Sequence, residues 1–391
     1  MDITGAGAAS WDMSAASGGS GNCGGNTMKA LGDAAFTTSA DQHWTNVNGG
    51  NWSTSGNWTS RVPLPQDNVF LNCAFGTSKT VSADMPRMGK NIDFAGATWT
   101  TALTFSHSSI VNYIFGSLIF IPGITISGTQ TFYLQGRATN LLINTGGITF
   151  TNQWSLEGCV GGKYTLASNF INTNINEGLL FADGELDMST FNITVSSFSH
   201  TFISPRAKTL TMGSGTFEMN GAYAYFNATA SLFTINCGTS TIKFTPPDNN
   251  GVSFAGGNKT YYNIWFNTGV RTGANSITGS NTFNDFKDDG TVAHSILFTA
   301  ASTQRMNTFC VSGSIGNLIT LNSTTTGIYN LIKLNGGIIL RKYLNIQHSV
   351  ATPAKTWYAG YTSINNQGVA SAGSGWIFRG EENKLLSLIS T

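Results

Sequence analysis

The feature that most constrains this chain is a repeat, in which apolar residues two apart recur at a nearly constant interval. One series reads Leu141/Ile143, Tyr164/Leu166, Leu186/Met188, Leu210/Met212 and Phe233/Ile235, with first members 23, 22, 24 and 23 residues apart. A second is interleaved with it: Leu103/Phe105, Ile124/Ile126, Ile148/Phe150, Ile171 with polar Thr173, Ile193/Val195, Phe217/Met219, Ile242/Phe244 and Ile264/Phe266. After a less regular stretch around Gly269 to Gly290, Ile296/Phe298, Ile319/Leu321 and Leu344/Ile346 resume it. The middle residue of each pair is usually polar or small, as at Thr125, Thr149, Thr194, Thr211 and Lys243. That is the period of two expected of a strand with one buried face.

Two interleaved series with one period mean that each coil carries at least two strands, every strand lying beside its equivalent one coil away. A β-sandwich of unrelated strands would show turn signals every 8 to 12 residues or so and would have no reason to keep that longer step. The expected fold is therefore all-β: a single-chain parallel β-helix, or β-solenoid, with coils of about 23 residues. Leu186 should lie beside Tyr164. Composition agrees, because charged residues are 10% of the chain against roughly 25% in average globular proteins. Like charges stacked at strand spacing repel, so neutral Thr, Ser and Asn make a better exterior.

The ends depart from the repeat. Residues 1–60 open with low-complexity Gly/Ala/Ser and then crowd Trp44, Trp52 and Trp58 into a polar context, which suggests either an attachment or capping segment or, with equal weight, a flexible leader followed by the first irregular coil. The solenoid is expected over 61–350, a C-terminal cap over 351–378 and a short helical tail over 379–391. In that tail Glu381 and Glu382 precede Leu385, Leu388 and Ile389 at helical spacing.

Charge and hydropathy exclude several classes. Lys+Arg 20 against Asp+Glu 19 gives a net charge of +1 with no basic stripe, so no nucleic-acid partner is expected. The longest apolar stretch, Ile110 to Ile121, is broken by Asn112, Gly116 and Ser117. It falls short of the ~20 residues of a membrane helix, so no membrane insertion is expected. Met1 to Gly25 lacks the basic and apolar regions of a signal peptide. The five cysteines lie far apart and read as isolated buried thiols.

Catalytic candidates are few. Among six Glu and thirteen Asp, the best cluster is Asp183, Glu185 and Asp187, whose i, i+2, i+4 spacing would point all three from one face. Asp285, Asp288 and Asp289 come second. Either set could bind a cation or act on a sugar, although Gly184 and Gly290 mark both as turns, and a solvated turn is the weightier reading. The histidines His43, His107, His200, His294 and His348 show no zinc-ligand spacing. No metal, no cofactor and no catalytic role is expected.

Two stretches carry a resemblance. "NGGNWSTSGNWTSRVPLPQDNVFL" (Asn48 to Leu71) resembles the opening of β-helical surface and virion proteins, where a Trp-rich segment precedes a "VP…D.V" strand. "TPAKTWYAGYTSINNQGVASAGSGWIF" (Thr352 to Phe378) is similar to an ending found in tailed-bacteriophage structural proteins. The resemblance implies a tail fibre, tail spike, head fibre or capsid-decoration protein, assembled in the host cytoplasm, located in the virion and commonly trimeric. Its implied partners are other virion proteins, further copies of itself and a host-surface glycan. Trp44, Trp52 and Trp58 are then candidates for virion docking. A polysaccharide depolymerase on the same scaffold and a bacterial surface adhesin are the alternatives. No catalytic residue is carried over, because neither motif holds one.

Overall fold

The computed structural model describes residues 37–107, 110–175, 178–199, 206–366 and 374–378. They form an all-β parallel β-solenoid of about 14 turns with coils of about 23 residues. Helix among the described residues is limited to one 3-10 turn, Ser55–Asn57. The helix expected over 379–391 lies outside them, as do the first thirty-six residues. The described parts of 1–174, 178–191 and 206–209 make one compact unit, and those of 175–177, 192–205 and 210–391 make a second.

In the first unit each regular coil has three strands. Leu141–Asn144, Thr149–Phe150 and Trp154–Leu156 form one such coil, followed by Lys163–Leu166, Phe170–Asn172 and Leu179–Phe181. Equivalent strands pair in parallel, with Leu141 opposite Tyr164, Thr149 opposite Ile171 and Trp154 opposite Leu179. Leu186 lies opposite Tyr164, as the repeat requires. The three sides enclose an interior in which Trp154 packs against Phe132, Phe150 and Phe170 at 5.0, 4.8 and 5.2 Å. Burying each such ring stabilises the coil by about 1.5–3 kcal/mol, and the offset and edge-on geometries add to it.

In the first unit two details differ from the sequence reading. A third inward series, Ile114, Leu134, Leu156 and Phe181, runs in register beside the two expected ones. The phase of one coil is also shifted: Ile171 faces outward at 36% exposure, while Phe170 and Asn172 are the buried pair. Asn172 is tolerated inside because its amide donates to the carbonyls of Asn152 and Gly178 at 2.6 and 3.0 Å.

In the second unit Ile193/Val195, Phe217/Met219, Ile242/Phe244 and Ile264/Phe266 stack in register. The series then continues through Phe286/Asp288 and Phe309/Val311 without a gap. Ile296/Phe298, Ile319/Leu321 and Leu344/Ile346 do not resume it. They belong to a different sheet, where Phe226, Phe254, Ile277 and Phe298 form one inward column and Ile296, Leu321 and Ile346 another. From Thr241 onward the coils carry two long strands, such as Thr282–Asp288 with His294–Phe298, and the longest is Thr303–Val311. A third side returns with Ile339–Leu340, Trp357–Tyr358 and Trp376–Ile377. Trp357 and Trp376 close the interior there, 5.2 Å apart and edge-on.

Candidate functional site

Asp183, Glu185 and Asp187 do not share a face. Strand Gly184–Asp187 begins after Asp183, and Gly184 takes a φ of +80°, a left-handed conformation that suits glycine. The turn sends Asp183 inward, where its carboxylate is buried and accepts hydrogen bonds from the N–H of Cys159 at 2.5 Å and of Gly158 at 3.1 Å. The Arg206 guanidinium completes its shell at 2.9 Å. Glu185 and Asp187 point outward together and both pair with Lys163, at 3.0 and 2.8 Å. Hydrogen bonds to Asp187 and Glu185 raise the Lys163 ammonium above its ordinary pKa. All three carboxylates are thus engaged by cations or backbone N–H groups.

The second acidic cluster also divides. Asp285 accepts from the Thr308 hydroxyl on the outer face, and Asp289 accepts from the Trp265 indole at 2.8 Å. Asp288 points inward beneath them, both oxygens 3.1 Å from His294 Nε2. Among the described residues no group of three or more His, Cys, Asp or Glu is placed to hold a metal ion.

Trp44, Trp52 and Trp58 lie inside the first coil, at 1%, 0% and 5% exposure. Trp58 packs edge-on against Trp44 at 4.9 Å and Trp52 at 4.7 Å. Its indole N–H donates to the Trp52 carbonyl at 2.8 Å. Beside them Asp67, fully buried, accepts from Arg61 at 2.7 Å and from the N–H of Ala40 and Leu64, each at 2.8 Å. The Trp-rich motif and the "VP…D.V" motif therefore build the opening coil, and the three indoles are buried within it.

An outward column went unremarked in the sequence, although its signal was present. Thr194, Glu218, Lys243, Trp265, Lys287 and Cys310 occupy the middle positions of successive inward pairs and stack in register on one sheet face. The Lys243 and Lys287 ammonium groups lie 5.0 and 3.8 Å from the Trp265 ring centroid, within the range of cation–π attraction. Glu218 approaches Lys243 at 3.5 Å and accepts from the Thr245 hydroxyl at 2.5 Å. Next to this column runs an amide ladder: Asn307 donates to Asn284 and Asn284 to Asn263, each at 3.1 Å. Successive strands thus set donors, acceptors and one indole in a column at the ~4.8 Å spacing of paired strands.

Among the described residues the four cysteines are free thiols. Burial raises the pKa of Cys73, Cys237 and Cys310, and pushes Cys159 well above the thiol range, helped by the negative charge of Asp183. His107 is buried flat against Phe132 at 3.9 Å, and burial lowers its pKa to about 4. His200 lies outside the described residues. Compared with protein-family models, curated proteins and solved structures, the chain has no match.

Proposed function

We propose that this chain is a structural protein of a tailed-bacteriophage virion, a fibre, spike or decoration component that displays its solenoid to the host surface. The observation that supports it most is the in-register outer column from Glu218 to Lys287 with Trp265 between two ammonium groups. A parallel solenoid presents such a column as a flat, repeating surface, which suits adhesion to an extended polymer better than conversion of a small molecule. The carboxylates favour the same reading, because a glycosidase needs two that are free to reach one sugar, whereas Asp183, Glu185 and Asp187 are tied to Arg206 and Lys163. Placement in a virion rests on the resemblance of Asn48 to Leu71 and Thr352 to Phe378. On this reading the partners are other virion proteins, further copies of the chain and a host glycan.

The test is a density map of intact particles together with adsorption of the purified chain to host cells. The expected result is solenoid density on the particle and saturable adsorption that Trp265→Ala weakens, with no oligosaccharide released from host capsule or lipopolysaccharide. Absence of the chain from particles would overturn the virion assignment, and oligosaccharide release would replace display with depolymerisation.

A further inference from the structure

One inward column of the second unit is interrupted by a carboxylate. Along the column Val195, Met219, Phe244, Phe266, Asp288, Val311, a carboxylate stands where every neighbour is apolar. A buried carboxylate without compensation is strongly unfavourable, and the surrounding residues supply that compensation. His294 Nε2 lies 3.1 Å from both oxygens, Asn275 Nδ2 donates at 2.7 Å and the Gly290 N–H at 2.9 Å. The other ring nitrogen of His294 lies 2.9 Å from the Val292 carbonyl, so both nitrogens face acceptors. Burial pushes the His294 pKa down, but the hydrogen bond and charge of Asp288 outweigh it and leave the pKa raised.

Around this pair three polar atoms have no hydrogen-bond partner in the protein: Thr268 Oγ1, Arg271 Nη1 and Asn275 Oδ1. Their residues are 3%, 5% and 0% exposed. Each of these residues is linked to the Asp288–His294 pair. A Cβ built on Gly290 would stand 2.3 Å from His294 Cε1 and 2.8 Å from Thr268 Oγ1, Asn275 is bonded to Asp288, and Arg271 interacts electrostatically with both Asp288 and His294. Arg271 also grips the preceding corner, its Nε and Nη2 donating to the carbonyls of Asp248 and Asn250.

The chemistry of the three atoms defines what fits. Arg271 Nη1 can only donate and Asn275 Oδ1, a carbonyl oxygen, can only accept. An anion would face Asn275 Oδ1 and the Asp288 carboxylate, while a cation would face the guanidinium. A small neutral molecule that both donates and accepts meets all three, and buried waters commonly make about three such bonds. We propose that Thr268 Oγ1, Arg271 Nη1 and Asn275 Oδ1 bind a buried water molecule that bridges the Arg271 guanidinium to the Asp288–His294 pair. The water then ties three successive coil corners, those of Asp248, Arg271 and Asp288, through one buried polar network.

A crystal structure of the full chain at atomic resolution tests this directly, read beside Thr268→Val, which removes a hydroxyl with little change of volume. The expected result is one peak within about 3.2 Å of all three atoms, falling to background in Thr268→Val. Amide exchange across Thr268 to Asn275 should be about tenfold faster in the variant, the equivalent of one lost hydrogen bond. Direct bonding among the three atoms without a peak would overturn the proposal. So would an anomalous signal at the locus after a bromide soak, which would assign it to an anion. Should Thr268→Val fail to fold, the parent crystal and the soak still decide.

Discussion

Replacing Asp183 by Asn distinguishes a structural carboxylate from a chemical one. Its oxygens accept from two backbone N–H groups and from Arg206, at 2.5, 3.1 and 2.9 Å, and its side chain is fully buried. An amide of the same shape keeps one acceptor and turns an NH2 toward a donor. One charge-assisted bond is lost and the others weaken, at about 1.5–3 kcal/mol for each bond to a charged group. The Arg206 side chain is 45% exposed, so solvent screens its share, and the two backbone donors dominate the cost. Asp183→Asn should therefore lose about 3 kcal/mol of stability. Glu185→Gln and Asp187→Asn break only partly exposed pairs with Lys163 and should each lose about 0.2–1 kcal/mol. Urea titration followed by both fluorescence and circular dichroism measures this, since non-coincident transitions reveal coil-by-coil unfolding. A cost for Asp183→Asn within about 0.5 kcal/mol of zero, or one no larger than that of its two neighbours, would refute the reasoning.

Three further outcomes are expected. Trp52→Ala should lose about 3–5 kcal/mol, because Trp52 is fully buried and packs on Trp58 and Phe105, and an unchanged melting temperature would contradict that packing. Gly238→Ala should destabilise the second unit, since its φ is +53° and a Cβ there would stand 2.1 Å from the Gly213 carbonyl oxygen; equal or greater thermal stability would show that the corner yields. Stability should also be limited by histidine at both ends of the pH range. His294, with its pKa raised above 6.5, contributes stability that is complete below 6.5 and fades as pH rises through its folded value. His107, pushed down to about 4 from 6.5, acts in the opposite sense, losing up to about 3 kcal/mol as pH falls through that interval. Melting temperature against pH should flatten on its alkaline limb in His294→Gln and on its acid limb in His107→Gln, and parallel curves for all three proteins would contradict both.

The fold was legible because a solenoid imposes one condition on every coil, and Tyr164 with Leu186 satisfies it as plainly as Phe217 with Ile242. The third side was legible too, since Phe132/Leu134, Trp154/Leu156 and Leu179/Phe181 are inward pairs 22 and 25 residues apart, as regular as the two expected series. The shift at Ile171 has a physical cause that periodicity cannot register: Asn172 goes inside because two carbonyls wait there for its amide. Asp288 hid the continuation of the second series for a related reason, since a charged residue reads as exposed until His294 and Asn275 are seen around it. The acidic cluster failed on one residue, as i, i+2, i+4 holds a common face only along an unbroken strand and Gly184 breaks it. The tryptophans were conspicuous for their setting, yet the Asn and Ser between them form the turns that fold three indoles inward.

The registry of the second unit bears on how such a chain can change over generations. Thr216 lies opposite Thr241 and Thr241 opposite Asn263, with Phe217, Ile242 and Ile264 following in step. A genetic deletion that removed the stretch from Thr241 to Tyr262 would bring Asn263 into the place of Thr241, Ile264 into that of Ile242 and Phe266 into that of Phe244. The inward face would survive such an excision, whereas losing a few residues would turn every following side chain away from its column. Length in this architecture is thus inherited in whole turns, so duplication or loss of a turn is the route by which descendants of this chain could differ in reach while keeping both ends.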